Sequence, residues 1–139
     1  MLDKLHEPSP LEELVANVAL GFNEARAMPK SVYTSAEFAS LEVKSVFAKQ
    51  WFCAGRSSSL SKPGDYLTLT LADEPVMIIR GQDGTLRAQS NVCLHRMSTL
   101  LEGKGNKSAI VCPYHGWTYQ TDGCLRAAPA MKHNKAFKA

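Results

Sequence analysis

The chain has 139 residues, 45% of them hydrophobic and 21% charged, with a formal net charge of +3 from 16 basic and 13 acidic side chains. This is the composition of a globular protein with a core; it excludes general disorder, and the length allows one domain or one with an appendage. The basic residues are scattered, with no basic stripe interleaved with aromatics, so nucleic acid is not an expected partner, and Lys132, Lys135 and Lys138 read as a solvated stretch.

The opening MLDKLHEPSP holds no apolar core of a secretory signal, and the longest apolar run, Val76–Ile79, is far too short to span a bilayer. A cytoplasmic protein without a membrane partner is expected. In that compartment thiols stay reduced, and clustered cysteines point to metal or redox chemistry before disulfides.

Residues 9–27 predict an amphipathic helix. Ser9 and Glu12 form a capping box, Pro10 suits the first helical position, and Leu11, Leu14, Val15, Val18 and Phe22 recur at helical spacing until Met28-Pro29. A second helix is expected over about 35–50, capped by Thr34 and Glu37, with a periodicity that blurs near Val46-Phe47. After Trp51 the pattern changes to strands. YLTLTL (66–71) alternates strictly, with Leu67, Leu69 and Leu71 on one half-buried face, and PVMIIR (75–80) follows the turn ADE. Asp83-Gly84 in GQDGT marks a hairpin returning through LRAQSN (86–91). Short strands are expected near 109–111, 118–120 and 124–126. The result is a mostly β fold with N-terminal α-helices, an antiparallel β-sandwich type of domain. The division is 1–50 as helical extension, 51–129 as β domain and 130–139 as a tail or the start of a further domain.

Two inter-strand loops hold the chemistry. NVCLHRMSTL places Cys93 and His95 two positions apart, and VCPYHGWTY places Cys112 and His115 three apart. Three readings compete. The four residues could be incidental, but four soft donors in two tight clusters argue against that. They could form a structural Cys₂His₂ zinc site, whose usual order is a Cys pair followed by a His pair, not one of each per loop. Or they could hold a Rieske [2Fe–2S] cluster, in which two thiolates bind one iron and two imidazoles the other. Mixed loops meet that last requirement directly, since each then contributes one ligand to each iron.

The C-x-H-R and C-P-Y-H-G-W-x-Y segments, with WFCAGR (51–56), KPGDY (62–66), RGQDGTLRAQSNVCLHR (80–96) and CPYHGWTYQTDGCL (112–125), resemble the N-terminal part of the α subunit of Rieske non-haem iron ring-hydroxylating oxygenases. The resemblance runs from about Pro29 to Pro129 and implies Cys93 and Cys112 on one iron, His95 and His115 on the other. Met97 departs from it, because many members carry glycine after the arginine. The resemblance also implies an electron-donating reductase or ferredoxin, a catalytic domain with a mononuclear iron, and homotrimers. That iron needs two histidines and a carboxylate. His6 and His133 lie at opposite ends of the chain, neither in a D-x-x-H-x₃₋₅-H segment, so no such triad is expected here and the chain is not catalytically complete alone.

Two functions follow from the resemblance: the electron-transfer portion of an oxygenase, or a free-standing Rieske ferredoxin serving a separate one. The roughly fifty residues ahead of the β domain favour the first, because carrier ferredoxins of this type usually begin near the first strand. Trp117 and Tyr119 are read as core aromatics covering the cluster, and Pro113 and Gly116 as shaping a tight loop. Arg96 either pairs with a carboxylate of a neighbouring domain or snorkels over the sheet. Cys53 is read as a small buried hydrophobe in a strand beside Trp51, and Cys124 as a free thiol. The thiolate iron is expected to lie deep and the imidazole edge to be exposed, with a pH-dependent midpoint potential. Respiratory Rieske proteins carry a loop disulfide and a serine and a tyrosine that hydrogen-bond the cluster sulfurs. Trp117 stands where they have the serine, and Met97-Ser98 and Tyr114 where they have the extra cysteines. A midpoint at the low end of about −150 to +300 mV and no loop disulfide are therefore expected.

Overall fold

A computed structural model describes residues 7–131, 133–134 and 136–137. His6, Lys132, Lys135 and Lys138, on which expectations were placed above, lie outside the described residues. The chain divides into two compact units, one running to Phe52 and the other starting at Cys53.

The first unit is helical. α1 spans Pro10–Val18, and the predicted capping box is present: the Glu12 amide donates to Ser9 Oγ at 3.3 Å and the Ser9 amide to Glu12 Oε2 at 2.7 Å. The helix stops nine residues before the expected end at 27. Gly21 takes an extended conformation (φ −66°, ψ 162°), and Phe22 is 96% exposed, so no packing offsets the helix-breaking glycine. α2 covers Lys30–Thr34 and α3 Ala36–Glu42, ending in a π-helical turn at Val43–Phe47 where the periodicity blurs. The cap of α3 is Ser35, not Thr34. Thr34 is consumed by the last turn of α2, its hydroxyl donating to the Lys30 carbonyl, and Ser35 Oγ accepts the Phe38 amide at 3.1 Å.

The second unit is antiparallel β. β1 (Asp65–Leu71), β2 (Glu74–Arg80), β3 (Leu86–Ser90) and β4 (Lys104–Asn106) form one sheet in the order β3-β2-β1-β4. β5 (Ile110–Val111), β6 (Thr118–Tyr119) and β7 (Leu125–Ala127) form a second, and neither is a closed barrel. The β1–β2 turn places Ala72 and Asp73 at φ of 51° and 69°, the left-handed pair of a tight hairpin. The β2–β3 turn closes as expected through Gly84 (φ 78°), with Asp83 paired to Arg87 at 2.6 Å.

On the Leu67–Leu69–Leu71 face Leu67 is buried and Leu69 and Leu71 are half-buried, but the main core lies on the other side of β1. Tyr66, paired with Ile79, joins Met77, Leu100, Leu101, Ile110, Cys93, Cys112, Trp117 and Tyr119 in one buried cluster. The core therefore sits between the two sheets and directly under both Cys/His loops. Cys53 corrects another expectation. Residues 51–56 pair with neither sheet and form no strand, so nothing packs over them and the Cys53 thiol is exposed.

Candidate metal centre

Loop 1 (93–98) and loop 2 (112–117) are the same turn. In loop 1 the Cys93 amide donates to the Ser98 carbonyl at 2.8 Å and the Met97 amide to the Cys93 carbonyl at 2.9 Å. In loop 2 the Cys112 amide donates to the Trp117 carbonyl at 2.8 Å and the Gly116 amide to the Cys112 carbonyl at 3.0 Å. Each turn needs a left-handed residue four positions after its cysteine, supplied by Met97 (φ 55°) and Gly116 (φ 70°). The spacing difference in the sequence is thus a one-residue shift of the histidine along a shared frame.

Met97 occupies the position where the family resemblance implies glycine, and its side chain is 75% exposed. A β-carbon in the left-handed region costs about 1 kcal/mol. Met97→Gly is therefore expected to stabilise the domain by about that amount, read as a higher urea midpoint at unchanged slope. An unchanged or lower midpoint contradicts strain at this residue.

The two loops bring the predicted residues together in pairs, the cysteines in the buried cluster and the histidines at the surface. Cys93 and Cys112 are 1% and 2% exposed, whereas His95 and His115 are exposed with ring centroids 4.7 Å apart. Two sulfurs thus form a dry floor and two imidazoles an open rim. Trp117 stacks flat on His95, with centroids 4.8 Å apart and a 4° interplanar angle, and meets Phe137 edge-on at 5.6 Å. Tyr114 lies against His115 at 3.7 Å.

Electrostatics favour metal-ready protonation states. Burial pushes the Cys112 thiol up, but the amides of Tyr114 and His115 and the side chains of Cys93 and Ser98 outweigh it, and the thiol sits below its usual pKa. Loss of hydration, then His115 and Arg96, lowers the pKa of His95 and keeps it in the neutral, ligating form.

One neighbour was under-read from the sequence. Tyr119 Oη lies 3.3 Å from Cys93 Sγ and accepts the Leu94 amide at 3.1 Å. Burial, then the Cys93 sulfur, pushes its phenol up to about 12, so it remains a donor. Of the two hydroxyls that touch the cluster sulfurs in respiratory proteins, the tyrosine is therefore retained, and only the serine position is given over to Trp117. The C-P-Y-H-G-W-x-Y pattern held the signal, since its last residue projects from β6 back toward loop 1.

Two thiols and two imidazoles are the donor set of a Rieske cluster, and their deep and exposed positions fit one. Among the described residues no three His, Cys, Asp or Glu side chains gather around one point closely enough to hold a single ion. Cys124 is exposed on the turn before β7, its thiol pushed up by Asp122, and it belongs to neither Cys/His loop. His133 is exposed.

A model of the Rieske [2Fe-2S] domain matches residues 50–138. The carnitine monooxygenase oxygenase subunit of Acinetobacter baumannii is 42% identical over 130 residues, 93% of this chain and 35% of that protein. The chloroplastic choline monooxygenase of Spinacia oleracea is 39% identical over 127 residues, 90% of this chain and 29% of that one. Among solved structures, the quaternary ammonium Rieske monooxygenase CntA in complex with gamma-butyrobetaine superposes with a TM-score of 0.77 at 43% identity, over 82% of this chain and 33% of that chain. Naphthalene 1,2-dioxygenase with bound indole gives 0.69 at 36% identity, over 73% and 23%. The chain spans about a third of the length of the curated relatives it matches. The matched domain, the shared fold and the paired Cys/His loops agree: the chain belongs to the Rieske [2Fe-2S] family of the Rieske oxygenase subunits.

Proposed function

We propose that this chain passes single electrons through a [2Fe–2S] cluster held by Cys93 and Cys112 on one side and His95 and His115 on the other, as part of the oxygenase subunit of a quaternary-ammonium monooxygenase. The observation that carries the reading is the pairing of two buried sulfurs with two exposed imidazoles on two superposable turns. The substrate class rests on the relatives, which include carnitine, choline and glycine betaine monooxygenases. A reductase or ferredoxin would supply the electron, and a mononuclear-iron domain would receive it.

When bound, the cluster accepts and returns one electron at a time. The chain's own residues provide the rest. The buried core around Cys93 and Cys112 excludes water from the sulfur side. The Tyr119 hydroxyl and the amides of Tyr114 and His115 offer hydrogen bonds to sulfur, which hold the thiolate form. Trp117 fixes the plane of His95, and the rim leaves both imidazoles open to a partner protein.

The test is direct. Anaerobically reconstituted protein is expected to be red-brown, to contain equal iron and acid-labile sulfide, and to give a rhombic EPR signal when reduced. Colourless protein holding one zinc per chain would overturn the reading.

A further inference from the structure

The two ligand turns share their geometry but not their foundations. Loop 2 crowns a true hairpin, in which Val111 pairs with Thr118 and Ile110 with Tyr119. Among the described residues, loop 1 has below it the isolated backbone bridge of Val92 with Thr99 and no strand pair beneath that bridge. The next rung is built by a side chain. Asn91 Nδ2 donates to the Leu101 carbonyl at 2.8 Å, and its Oδ1 accepts the Leu101 amide at 2.9 Å. The backbone of Asn91 is already committed: its amide donates to the Pro75 carbonyl at 2.8 Å in the sheet, and its carbonyl accepts the Leu100 amide at 3.1 Å as one bond of the Val92–Thr99 bridge, so only its carboxamide can reach Leu101. At 3% exposure the Asn91 carboxamide has no water to fall back on, and Leu101 is 8% exposed.

We infer that Asn91 is a positioning residue, whose carboxamide clamps the base of loop 1 and thereby holds Cys93 and His95 in register with loop 2. The inference rests on the ligand set proposed above. A two-point amide pair reproduces a strand rung without a strand, and it ties the sheet to the far end of the loop, which backbone bonding alone leaves weakly closed. Without it, two buried backbone groups of Leu101 lose their partners, and loop 1 can open while loop 2 stays shut. A ligand loop that opened by itself would withdraw one ligand from each iron, Cys93 from one and His95 from the other.

The test compares reconstituted wild type, Asn91→Ala and Gln89→Ala. Gln89 serves as the control, because its Nε2 donates to the Thr121 carbonyl at 3.0 Å in the same sheet but outside both loops. The readouts are the rate of iron release to an excess ferrous chelator under native conditions and the EPR signal of the reduced protein. Asn91→Ala is expected to release iron at least about tenfold faster than wild type, the equivalent of one buried hydrogen bond, with altered g-values. Gln89→Ala is expected to release more slowly than Asn91→Ala at equal thermal stability, with wild-type g-values. If Asn91→Ala and Gln89→Ala release iron at rates that simply follow their thermal midpoints, the clamp is overturned and the ligand set stands. If wild type holds no iron and sulfide, the ligand set fails and the clamp goes with it. Should Asn91→Ala not fold, Asn91→Asp decides: it keeps the acceptor for the Leu101 amide and loses the donor to the carbonyl. Faster release with altered g-values supports the clamp, and release at the wild-type rate refutes it.

Discussion

Cys112→Ala is expected to yield colourless protein with no bound iron or acid-labile sulfide after reconstitution, where wild type loads both. The thiol is 2% exposed at the floor of the site, with backbone amides of its own loop arranged against it. Alanine removes the one sulfur that loop 2 can offer and leaves those amides facing an apolar methyl group. Because ligation is also folding energy for the loops, the variant is expected to unfold at lower temperature than loaded wild type and close to the wild-type apo protein. His95→Ala is expected to lose the metal as well, and to remove the surface on which Trp117 stacks. Cys124→Ala and Cys53→Ala are the controls. Both thiols are exposed and lie outside the ligand turns, so both variants are expected to load fully. Full iron and sulfide in Cys112→Ala, or loss of colour in Cys124→Ala, would reassign the site.

The two Cys/His loops stood out in the sequence because soft donors are rare and their order is informative: one Cys and one His per loop is awkward for a zinc finger and natural for a two-iron cluster. β1, β2 and β3 were legible for a different reason, since strict alternation and an Asp-Gly turn are local signals. β4 was not. Its residues, Lys104, Gly105 and Asn106, have poor strand propensity and are exposed, and the strand exists because β1 offers it a ladder. Gly105 is there for a contact the sequence cannot display, since a β-carbon would lie 3.0 Å from the Tyr66 ring. Cys53 differs from its expectation because its apolar neighbours suggest a strand, and a strand forms only where a ladder partner lies alongside, which the sequence around it does not display. The clamp at Asn91 and the hydroxyl of Tyr119 were invisible in the same way. Both are contacts between residues well separated in the chain, 10 and 26 positions apart, and periodicity carries no trace of them.

Tyr119→Phe is expected to lower the midpoint potential of the cluster by about 40 mV while leaving it fully loaded. The phenolic oxygen sits 3.3 Å from Cys93 Sγ, and a ligating thiolate can only accept, so the phenol donates. Reduction adds negative charge that spreads onto the sulfurs, and a donor aimed at sulfur therefore stabilises the reduced state more than the oxidised one. A differential of about 1 kcal/mol is reasonable for a hydrogen bond to a charged acceptor, and for one electron it converts to about 40 mV. The sign follows from the charge: removing the donor makes the electron harder to accept, so the potential falls. Phenylalanine keeps the buried ring, 4% exposed, and the volume of the core, while the Leu94 amide loses its acceptor at 3.1 Å. The cost in stability is then about 1–3 kcal/mol for that orphaned amide. A redox titration followed by circular dichroism or EPR reads the potential, and a denaturant midpoint reads the stability. An unchanged potential in a fully loaded variant means that the phenol serves only to hold the Leu94 amide. A fall in potential with iron and sulfide retained makes Tyr119 the group on this chain that sets how readily the electron is taken up.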